Sequence, residues 1–411
     1  MSRTSSLLLL GPAFVAAIAY VDPGNVAANL TAGARYGDLL LWVLVLANGI
    51  AVLVQYSSAK LGLVTGQSLS EYLGRSLRTW PRRLYWVQAE LVAAATDIAE
   101  VIGGAIALHL LFGLPLWLGG LIVGIVAIAI LSIQSRRGQR AFESIIIGLL
   151  AIIVIGFVFG LFASGFDPRE ALAGLVPRFE GTDSVLLATS MLGATVMPHA
   201  IYLHSALSRD RHNDAIARDP SGVVVDDGML RRLLRATKFD VFAALVIAGA
   251  VNIAMLLLAS SALRGVAGTD TIEGAYAAIA SALGPVVAVV FAIGLLASGL
   301  ASSSVGTYAG QSIISGLLRV RIPVIVRRAI TLVPAIIVLA VGIDPTWALV
   351  LSQVVLSFGI PFALIPLVHA TGSVRVMGRW VNPIWVRILG WTSVTIITVL
   401  NALLIVLLFA G

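Results

Sequence analysis

The fold is decided by two stretches, Ala19-Tyr20-Val21-Asp22-Pro23-Gly24-Asn25 and Gly193-Ala194-Thr195-Val196-Met197-Pro198-His199, where a proline interrupts an apolar run of membrane length. A proline within a helix lacks a backbone N–H donor and collides with the carbonyl four residues earlier, so each run is predicted to unwind. The predicted helix breaks are Pro23 with Gly24, and Pro198. Inside a bilayer, freed carbonyls are tolerated only where protein, water or an ion satisfies them. Two such breaks in corresponding positions are typical of the binding site of a transporter.

The composition indicates a membrane protein. Of the 411 residues, 59% are hydrophobic and 11% are charged, whereas a soluble domain carries about 25% charged residues. The chain has no cysteine, which excludes disulfides and thiolate metal sites. The N-terminus resembles a secretory signal peptide, but its apolar run continues through Asp22-Pro23 without a convincing cleavage site, which favours a membrane span. We therefore predict an all-α membrane protein.

Eleven membrane-spanning helices are predicted, because a helix needs about 20 apolar residues to cross a bilayer. The eighth candidate is too long for one span, and its C-terminal part, Ser302 to Leu318, is predicted to extend beyond the bilayer. The candidate spans are 8–33, 38–64, 84–111, 115–134, 142–165, 185–208, 239–262, 274–317, 322–342, 346–370 and 384–410.

The basic residues predict the orientation of the chain. With the N-terminus inside, all but four of the 27 Lys and Arg residues face the cytoplasm, and these four are Arg35, Arg169, Arg178 and Arg264. Because cytoplasmic loops carry an excess of Lys and Arg, the N-terminus is predicted inside and the C-terminus outside. The same distribution explains the net charge of +7 without a nucleic-acid partner. The longest loop, Arg209 to Lys238, is interpreted as a flexible connector.

The two breaks also predict an internal repeat within a single transmembrane domain of residues 1–411. Spans 1–5 (8–165) would form the first half and spans 6–10 (185–370) the second, with 384–410 as an extra helix. An odd number of spans per half makes the second half inverted. Pro23 and Pro198 then occupy equivalent first helices.

Asp22 is the strongest candidate for a functional residue. An ionisable carboxylate near mid-span is costly and by default marks a functional site. The alternative is a structural role as the N-cap of the helix that begins at Pro23. The two roles are compatible, but Ser or Thr would cap the helix at lower cost in a membrane, so cation binding is favoured. Asn25 supplies an amide oxygen one turn further on.

Met197 supplies a sulfur atom at the second break. Methionine is usually a core residue, but the position directly before Pro198 favours a place in the cavity. A thioether is a poor ligand for Ca²⁺ or Mg²⁺, which prefer oxygen, and a reasonable one for Mn²⁺, Fe²⁺ and softer ions. Asp22, Asn25 and Met197 therefore predict a cation site with one soft ligand.

Three acidic residues of the third span form a second candidate feature. Glu90, Asp97 and Glu100 are seven and three residues apart, which places them along one stripe of a helix. One interpretation is structural ion pairing with Arg327 and Arg328. A proton relay explains the row better, since intramembrane ionisable groups are functional by default.

The two histidines after the second break do not form a zinc-protease motif. His199 and His204 are five residues apart, whereas that motif requires a spacing of four and a glutamate. Because imidazole titrates near neutral pH, His199 is a candidate for proton transfer. His204 is interpreted as a helix-packing residue.

Taken together, these motifs resemble those of a known family. Asp22-Pro23-Gly24-Asn25 and Met197-Pro198-His199 look like the two signature motifs of the Nramp family, which comprises proton-linked transporters of divalent transition metals. The stretch from Ala297-Ser298-Gly299 to Gly310-Gln311 is similar to that family's transport signature. The resemblance covers essentially the whole chain from Gly11 onward. It implies a LeuT-type fold with two inverted five-helix repeats, in which spans 1 and 6 are discontinuous.

The resemblance also implies roles for particular residues. The metal ligands would be the side chains of Asp22, Asn25 and Met197, the carbonyls of Ala19 and Ala194, and in some conformations Gln353. The proton pathway would involve Asp22, His199, Asp97 and Glu100, with Arg327 and Arg328 as basic partners, and Glu90 extends the acidic row.

The predicted function is proton-coupled import of Mn²⁺, Fe²⁺ or similar ions, Co²⁺ and Cd²⁺ included, across a bacterial plasma membrane. No enzymatic activity, cofactor, nucleic-acid partner or obligate protein partner is predicted; the partners are the lipid bilayer, divalent metal ions and protons. A sodium-coupled amino-acid symporter could share the fold, but Asp22 would repel a substrate carboxylate. A channel fits two broken helices less well than alternating access does, and a structural metal-binding protein has no cysteine or histidine cluster to support it.

Overall fold

The computed structural model describes residues 11–212, 227–320 and 322–410, and every regular element within these ranges is a helix. Arg3, Arg218 and Arg321, which contributed to the predicted charge asymmetry, lie outside them. The α-helices are α1 (Pro12–Ala17), α2 (Pro23–Tyr36), α3 (Leu41–Thr65), α4 (Leu69–Ser76), α5 (Thr79–Phe112), α6 (Leu116–Arg137), α7 (Gln139–Ser164), α8 (Pro168–Ala173), α9 (Gly181–Thr195), α10 (Pro198–His212), α11 (Asp227–Ala262), α12 (Ile272–Leu283), α13 (Pro285–Leu317), α14 (Val324–Val341), α15 (Pro345–Thr371), α16 (Val374–Met377) and α17 (Ile384–Ala410).

Both predicted helix breaks are confirmed. The first span consists of α1, a 3-10 turn at Ile18–Val21, and α2, with Asp22 in an extended conformation (φ −72°, ψ 169°) between the turn and α2. The sixth span consists of α9 and α10, and the chain leaves helical geometry at Val196 (φ −104°, ψ 60°). Each second half-helix begins at its proline, the position where a missing N–H costs a helix nothing.

The remaining spans are continuous helices, apart from the eighth. Spans two to five are α3, α5, α6 and α7, and spans seven, nine, ten and eleven are α11, α14, α15 and α17. In the part of the chain that the structure describes, nine apolar helical stretches are long enough to cross a membrane. One of them, Pro23–Thr65, combines the second half of span one with span two, and α14, at the predicted ninth span, is not among the nine. The predicted all-α membrane fold is therefore confirmed.

The eighth span corrects the prediction for 274–317. The run is divided at Gly284 (φ +95°), followed by Pro285 as the first residue of α13, so that α12 is a separate helix of 12 residues. The conformation at Gly284 favours glycine and ends one helix, while the proline starts the next. Ser302 to Ser304 are wholly buried in the bundle. The part before Gly284 is therefore a helix of its own, while α13 still has 33 residues, and the extension of Ser302 to Leu318 beyond the bilayer stays a prediction.

The connector between the halves is also shorter than predicted. Helix α10 continues to His212 and α11 begins at Asp227, so both ends of the predicted loop, Arg209 to Lys238, are helical. Arg209 forms an ion pair with Glu71 of α4, which holds the end of α10 against that helix. The centre of the predicted connector, residues 213–226, lies outside the described ranges.

Close helix contacts fix the two breaks in place. Gly103 on α5 lies against the ring of Pro23, and a Cβ at this position would collide with it. Gly193 on α9 lies against the backbone carbonyl of Gln353 on α15 in the same way. The broken spans are thus packed directly onto two long helices, and the residues of both breaks are buried at the centre of the molecule.

Candidate metal site between the broken helices

Asp22 caps a helix with one oxygen of its carboxylate and leaves the other oxygen without a partner in the described residues. Its Oδ1 accepts hydrogen bonds from the backbone N–H of Asn25 (2.8 Å) and from Asn25 Nδ2 (2.7 Å), so it is the N-cap of α2. Its Oδ2 is buried and has no hydrogen-bond partner among the described residues. One carboxylate oxygen therefore stabilises the helix end, and the other is free to bind a cation.

The second break contributes a backbone oxygen to the same place. In a regular helix the carbonyl of Ala194 would bond the N–H of residue 198, which is a proline and has none. Instead, Ala194 O accepts from Asn25 Nδ2 at 3.0 Å. Asn25 thus joins the two breaks, and its own Oδ1 is buried without a hydrogen-bond donor in the described ranges.

Pro23 has the corresponding effect at the first break, because the N–H that it lacks would have bonded the carbonyl of Ala19. The two carbonyls predicted as metal ligands, of Ala19 and Ala194, are therefore those that the two prolines deprive of a helical partner. This relation follows from the spacing of four residues, whereas these two carbonyls were named as ligands only through the family resemblance.

Gln353 on α15 lies beside both breaks. Its side-chain amide is packed against Gly24, where a Cβ would collide with it, and its backbone carbonyl faces Gly193. Gln353 Nε2 donates to Ser352 Oγ (3.1 Å). The other amide atom, Oε1, is buried and has no partner within the described ranges. Gln353 thus lies beside both breaks, and its role as a metal ligand stays a prediction.

Met197 is wholly buried and lies three residues beyond Ala194, immediately before α10. No three His, Asp or Glu side chains in the described part of the chain are grouped as a metal cluster. A cation site here would therefore draw on one carboxylate and on amide and carbonyl oxygens, and the thioether of Met197 as a further ligand stays a prediction.

The acidic row of α5 is partly engaged in ion pairs. Arg327 Nη2 lies 3.6 Å from Glu90 Oε1, and Arg327 Nη1 lies 3.6 Å from Asp97 Oδ2. Arg328 Nη1 donates to Asp97 Oδ1 at 3.1 Å. The structural interpretation thus holds for Glu90 and Asp97, which pair with the two arginines named from the sequence.

Glu100 differs from the other two acids. It is buried, and its Oε2 has no hydrogen-bond partner in the described residues. The carboxylate lies against Gly306 of α13, where an added Cβ would be 2.7 Å from Oε2. Ion pairing therefore does not account for Glu100.

Both arginine side chains, of Arg327 and Arg328, also contact α13. Arg327 Nη1 donates to Thr307 O (3.2 Å), Arg328 contacts the hydroxyl of Ser303, and the guanidinium of Arg327 lies against Gly310. These positions lie within the stretch that resembles the family's transport signature. Its small residues make room for buried guanidinium groups.

The two histidines are placed differently. His199 Nδ1 lies 3.3 Å from Thr96 Oγ1 on α5, one residue from Asp97, while its Nε2 is buried without a partner among the described residues. His204 Nδ1 is 2.8 Å from Gln55 Oε1, and Gln55 in turn donates to the hydroxyl of Tyr20. His199 is therefore close to the acidic row, and His204 is part of a separate hydrogen-bonded chain.

Several buried polar residues at the site were missed by sequence reasoning. Asn252 and Ser298 donate to backbone carbonyls of the first break, Thr96 and Gln55 contact the histidines, and Tyr20 accepts from Gln55. Each is a polar side chain within a segment that is largely apolar. That was the available signal, but it does not indicate which distant carbonyl or ring the side chain will meet.

Comparison with known proteins assigns the chain to a family. Residues 13–407 match the Nramp family, described as natural resistance-associated macrophage protein-like. The chain belongs to the Nramp family. This membership confirms the resemblance, and it confirms that the chain is a transporter and not an enzyme.

Relatives of this Nramp protein match along almost their whole length. The divalent metal cation transporter MntH of Mycobacterium tuberculosis is 57% identical over 410 residues, which cover 100% of this chain and 94% of the relative. The MntH of Bacillus subtilis is 46% identical over 402 residues, covering 97% and 92%.

Solved structures show the same architecture. The manganese transporter of Eremococcus coleocola is 30% identical, with a TM-score of 0.85, and the match covers 98% of this chain and 87% of that one. MhsT in complex with L-phenylalanine is 15% identical, with a TM-score of 0.64 over 97% and 99% of the chains, and shows likeness of fold alone. The predicted LeuT-type fold is confirmed.

Proposed function

We propose that this protein imports divalent transition-metal ions across the plasma membrane, coupled to protons, by alternating access. Mn²⁺ is the first candidate substrate, because close relatives are named divalent metal cation transporters and the structural neighbour is a manganese transporter. Fe²⁺, Co²⁺ and Cd²⁺ are further candidates, since similar nitrogen, oxygen and sulfur ligands bind these ions. The availability of each metal in the cell then decides much of the selectivity among them.

One observation carries the proposal. Asp22 Oδ2, Asn25 Oδ1 and Gln353 Oε1 are buried acceptors without a hydrogen-bond donor among the described residues, and they lie where the two helix breaks meet. A buried acceptor without a donor is costly, and a bound cation would satisfy all three. With the carbonyls of Ala19 and Ala194 and the sulfur of Met197, they form the proposed ligand set.

Met197 is proposed as the selectivity filter. Ca²⁺ and Mg²⁺ bind oxygen ligands almost exclusively, whereas transition metals accept a sulfur ligand. One thioether among oxygen donors would therefore favour Mn²⁺ and Fe²⁺ over the more abundant hard cations. The alternative, simple packing in the core, predicts no effect on selectivity.

The proton pathway is proposed to lead from Asp22 to the acidic row of α5. A metal ion binds a deprotonated carboxylate and therefore releases a proton from Asp22. Glu100, which ion pairing does not account for, and His199, which lies beside Asp97 through Thr96, are the proposed next carriers. Asp97, with Arg327 and Arg328, would accept the proton further on, and Glu90 would continue the row.

The half-helices of spans 1 and 6 are proposed to rock against the rest of the bundle and expose the site to each side in turn. The N-terminus is assigned to the cytoplasm and the C-terminus to the outside, on the distribution of Lys and Arg. Residues 8–165 and 185–370 are the proposed inverted repeats, with 384–410 as the extra helix.

Uptake into proteoliposomes that contain an interior pH dye tests the proposal. We expect saturable Mn²⁺ entry accompanied by acidification of the interior, and no entry of Ca²⁺. Absence of Mn²⁺ flux under every imposed pH gradient, with amino-acid uptake in the same vesicles, would instead support the symporter that shares this fold.

A further inference from the structure

The first helix break deprives three carbonyls of their helical partners. In an α-helix each carbonyl bonds the N–H four residues later. For Ala19 this partner would be Pro23, which has no N–H. For Val21 it would be the N–H of Asn25, which instead donates to Asp22 Oδ1 (2.8 Å). The carbonyl of Tyr20, between them, bonds a side chain rather than the helix.

That side chain belongs to Asn252, which bridges the break. Asn252 lies on α11, and its Nδ2 donates to Tyr20 O at 2.7 Å. Its Oδ1 accepts from Asn29 Nδ2 of α2 at 2.9 Å. One amide on α11 thus holds the 3-10 turn before the break and the helix after it at a fixed separation.

Ser298, on another helix, holds the next carbonyl of the same segment. It lies on α13, and its Oγ donates to Val21 O at 2.6 Å. Asn252 is 2% exposed and Ser298 is wholly buried, so neither carbonyl competes with solvent for its donor. Two neighbouring carbonyls are therefore held by donors from two different helices, which fixes the segment between Ala19 and Asp22.

We infer that Asn252 and Ser298 are positioning residues of the metal site. This inference rests on the proposed function. By bonding the carbonyls of Tyr20 and Val21, they withdraw these oxygens from the ion and leave the carbonyl of Ala19 to bind it. They also fix the backbone that carries Asp22. Groups that orient metal ligands in this way typically contribute 10- to 100-fold to metal affinity.

The test is the Mn²⁺ dissociation constant of the full-length protein in lipid nanodiscs, measured by titration calorimetry for Ser298→Ala and Asn252→Leu. We expect the constant to rise about tenfold in each. Ser298→Thr, which retains the hydroxyl, should restore most of the affinity. Ser298→Ala changes the packing least and decides the question alone if Asn252→Leu does not fold.

Matched controls separate positioning from general stability. Asn401→Leu removes a similar buried amide, which donates to Ser357 O at 2.9 Å, and Ser70→Ala removes a hydroxyl that donates to Ser312 O at 3.0 Å. Both should lower the melting temperature and leave the Mn²⁺ dissociation constant within twofold of wild type. Equal weakening of Mn²⁺ binding in controls and test variants would overturn the inference.

Asp22→Asn in the same titration separates the two proposals. If Asp22→Asn still binds Mn²⁺ as the wild type does, the proposed metal site is wrong. If Asp22→Asn loses binding while Ser298→Ala and Asn252→Leu bind normally, the metal site stands and the positioning role alone is overturned.

Discussion

At the scale of single residues, Asp22 joins the folding of a helix to the proposed binding of an ion. Its Oδ1 caps α2 through the backbone N–H of Asn25, and its Oδ2 has no partner in the described residues. The sequence alone presented capping and cation binding as competing explanations. The structure shows that the carboxylate has one oxygen available for each.

This division makes Asp22→Asn an informative variant. Asparagine caps helices as well as aspartate does, so the melting temperature should change little. The loss of a charged ligand is expected to weaken Mn²⁺ binding about 10- to 100-fold, which corresponds to about 1.5–3 kcal/mol. Uptake of Mn²⁺ into proteoliposomes should fall accordingly, and normal flux would exclude the proposed site.

Met197→Leu distinguishes a sulfur ligand from a packing residue. The exchange nearly conserves volume, which cores tolerate well, but it removes the thioether. We expect the preference for Mn²⁺ over Ca²⁺ to fall about tenfold, the equivalent of about 1.4 kcal/mol, in paired uptake measurements. Met197→Ala should likewise admit Ca²⁺. Unchanged selectivity in Met197→Leu would assign the residue to packing alone.

At the scale of helices, a proline does not by itself predict a break. Pro334, Pro361 and Pro366 lie within α14 and α15, which remain continuous. Pro361 deprives Ser357 O of its helical donor, and Asn401 Nδ2 of α17 replaces that donor. At Pro23 the carboxylate of Asp22 caps a new helix instead.

The sequence was therefore sufficient for the all-α membrane fold and for both helix breaks, because these follow from hydropathy and local chemistry. It was not sufficient for Asn252 and Ser298, whose partners lie more than two hundred residues away in the chain. It also missed the division of the eighth span at Gly284, because this turn gives no hydropathy signal.

Gly193→Ala tests how closely α9 must approach α15. A Cβ at this position would collide with the backbone carbonyl of Gln353, and backbone cannot move aside as a side chain can. We expect about 1–3 kcal/mol of destabilisation, a lower melting temperature in detergent and reduced Mn²⁺ uptake. Gly49→Ala on α3, where an added Cβ meets open space, is the control and should not destabilise the protein.

At the scale of the whole molecule, the acidic row lies close to the helix breaks, and its acids differ in how much they contribute to the stability of the fold. Asp97 neutralises two buried arginines, so Asp97→Asn should lower the free energy of unfolding by about 3–5 kcal/mol and should also reduce proton flux.

Glu100 has no such ion pair to lose. Glu100→Gln should therefore leave the melting temperature near that of the wild type and slow the acidification that accompanies Mn²⁺ entry. Unaltered acidification would remove Glu100 from the pathway.

The orientation can be tested without a background of native thiols, because the chain contains no cysteine. Glu170 on α8 and Arg375 on α16 are both exposed and are assigned to opposite sides of the membrane. In intact cells, a membrane-impermeant maleimide should label Glu170→Cys and should label Arg375→Cys after lysis only. The reverse pattern would invert the proposed topology.

The cap on α2 has a consequence for coordination number. Because Oδ1 of Asp22 accepts two hydrogen bonds from Asn25, the carboxylate can offer an ion a single oxygen unless the end of α2 opens. Ca²⁺ collects six to eight oxygens and often takes both from one carboxylate. A monodentate aspartate thus lowers the number of oxygens within reach, so the site would discriminate against large cations by denticity as well as by the sulfur atom.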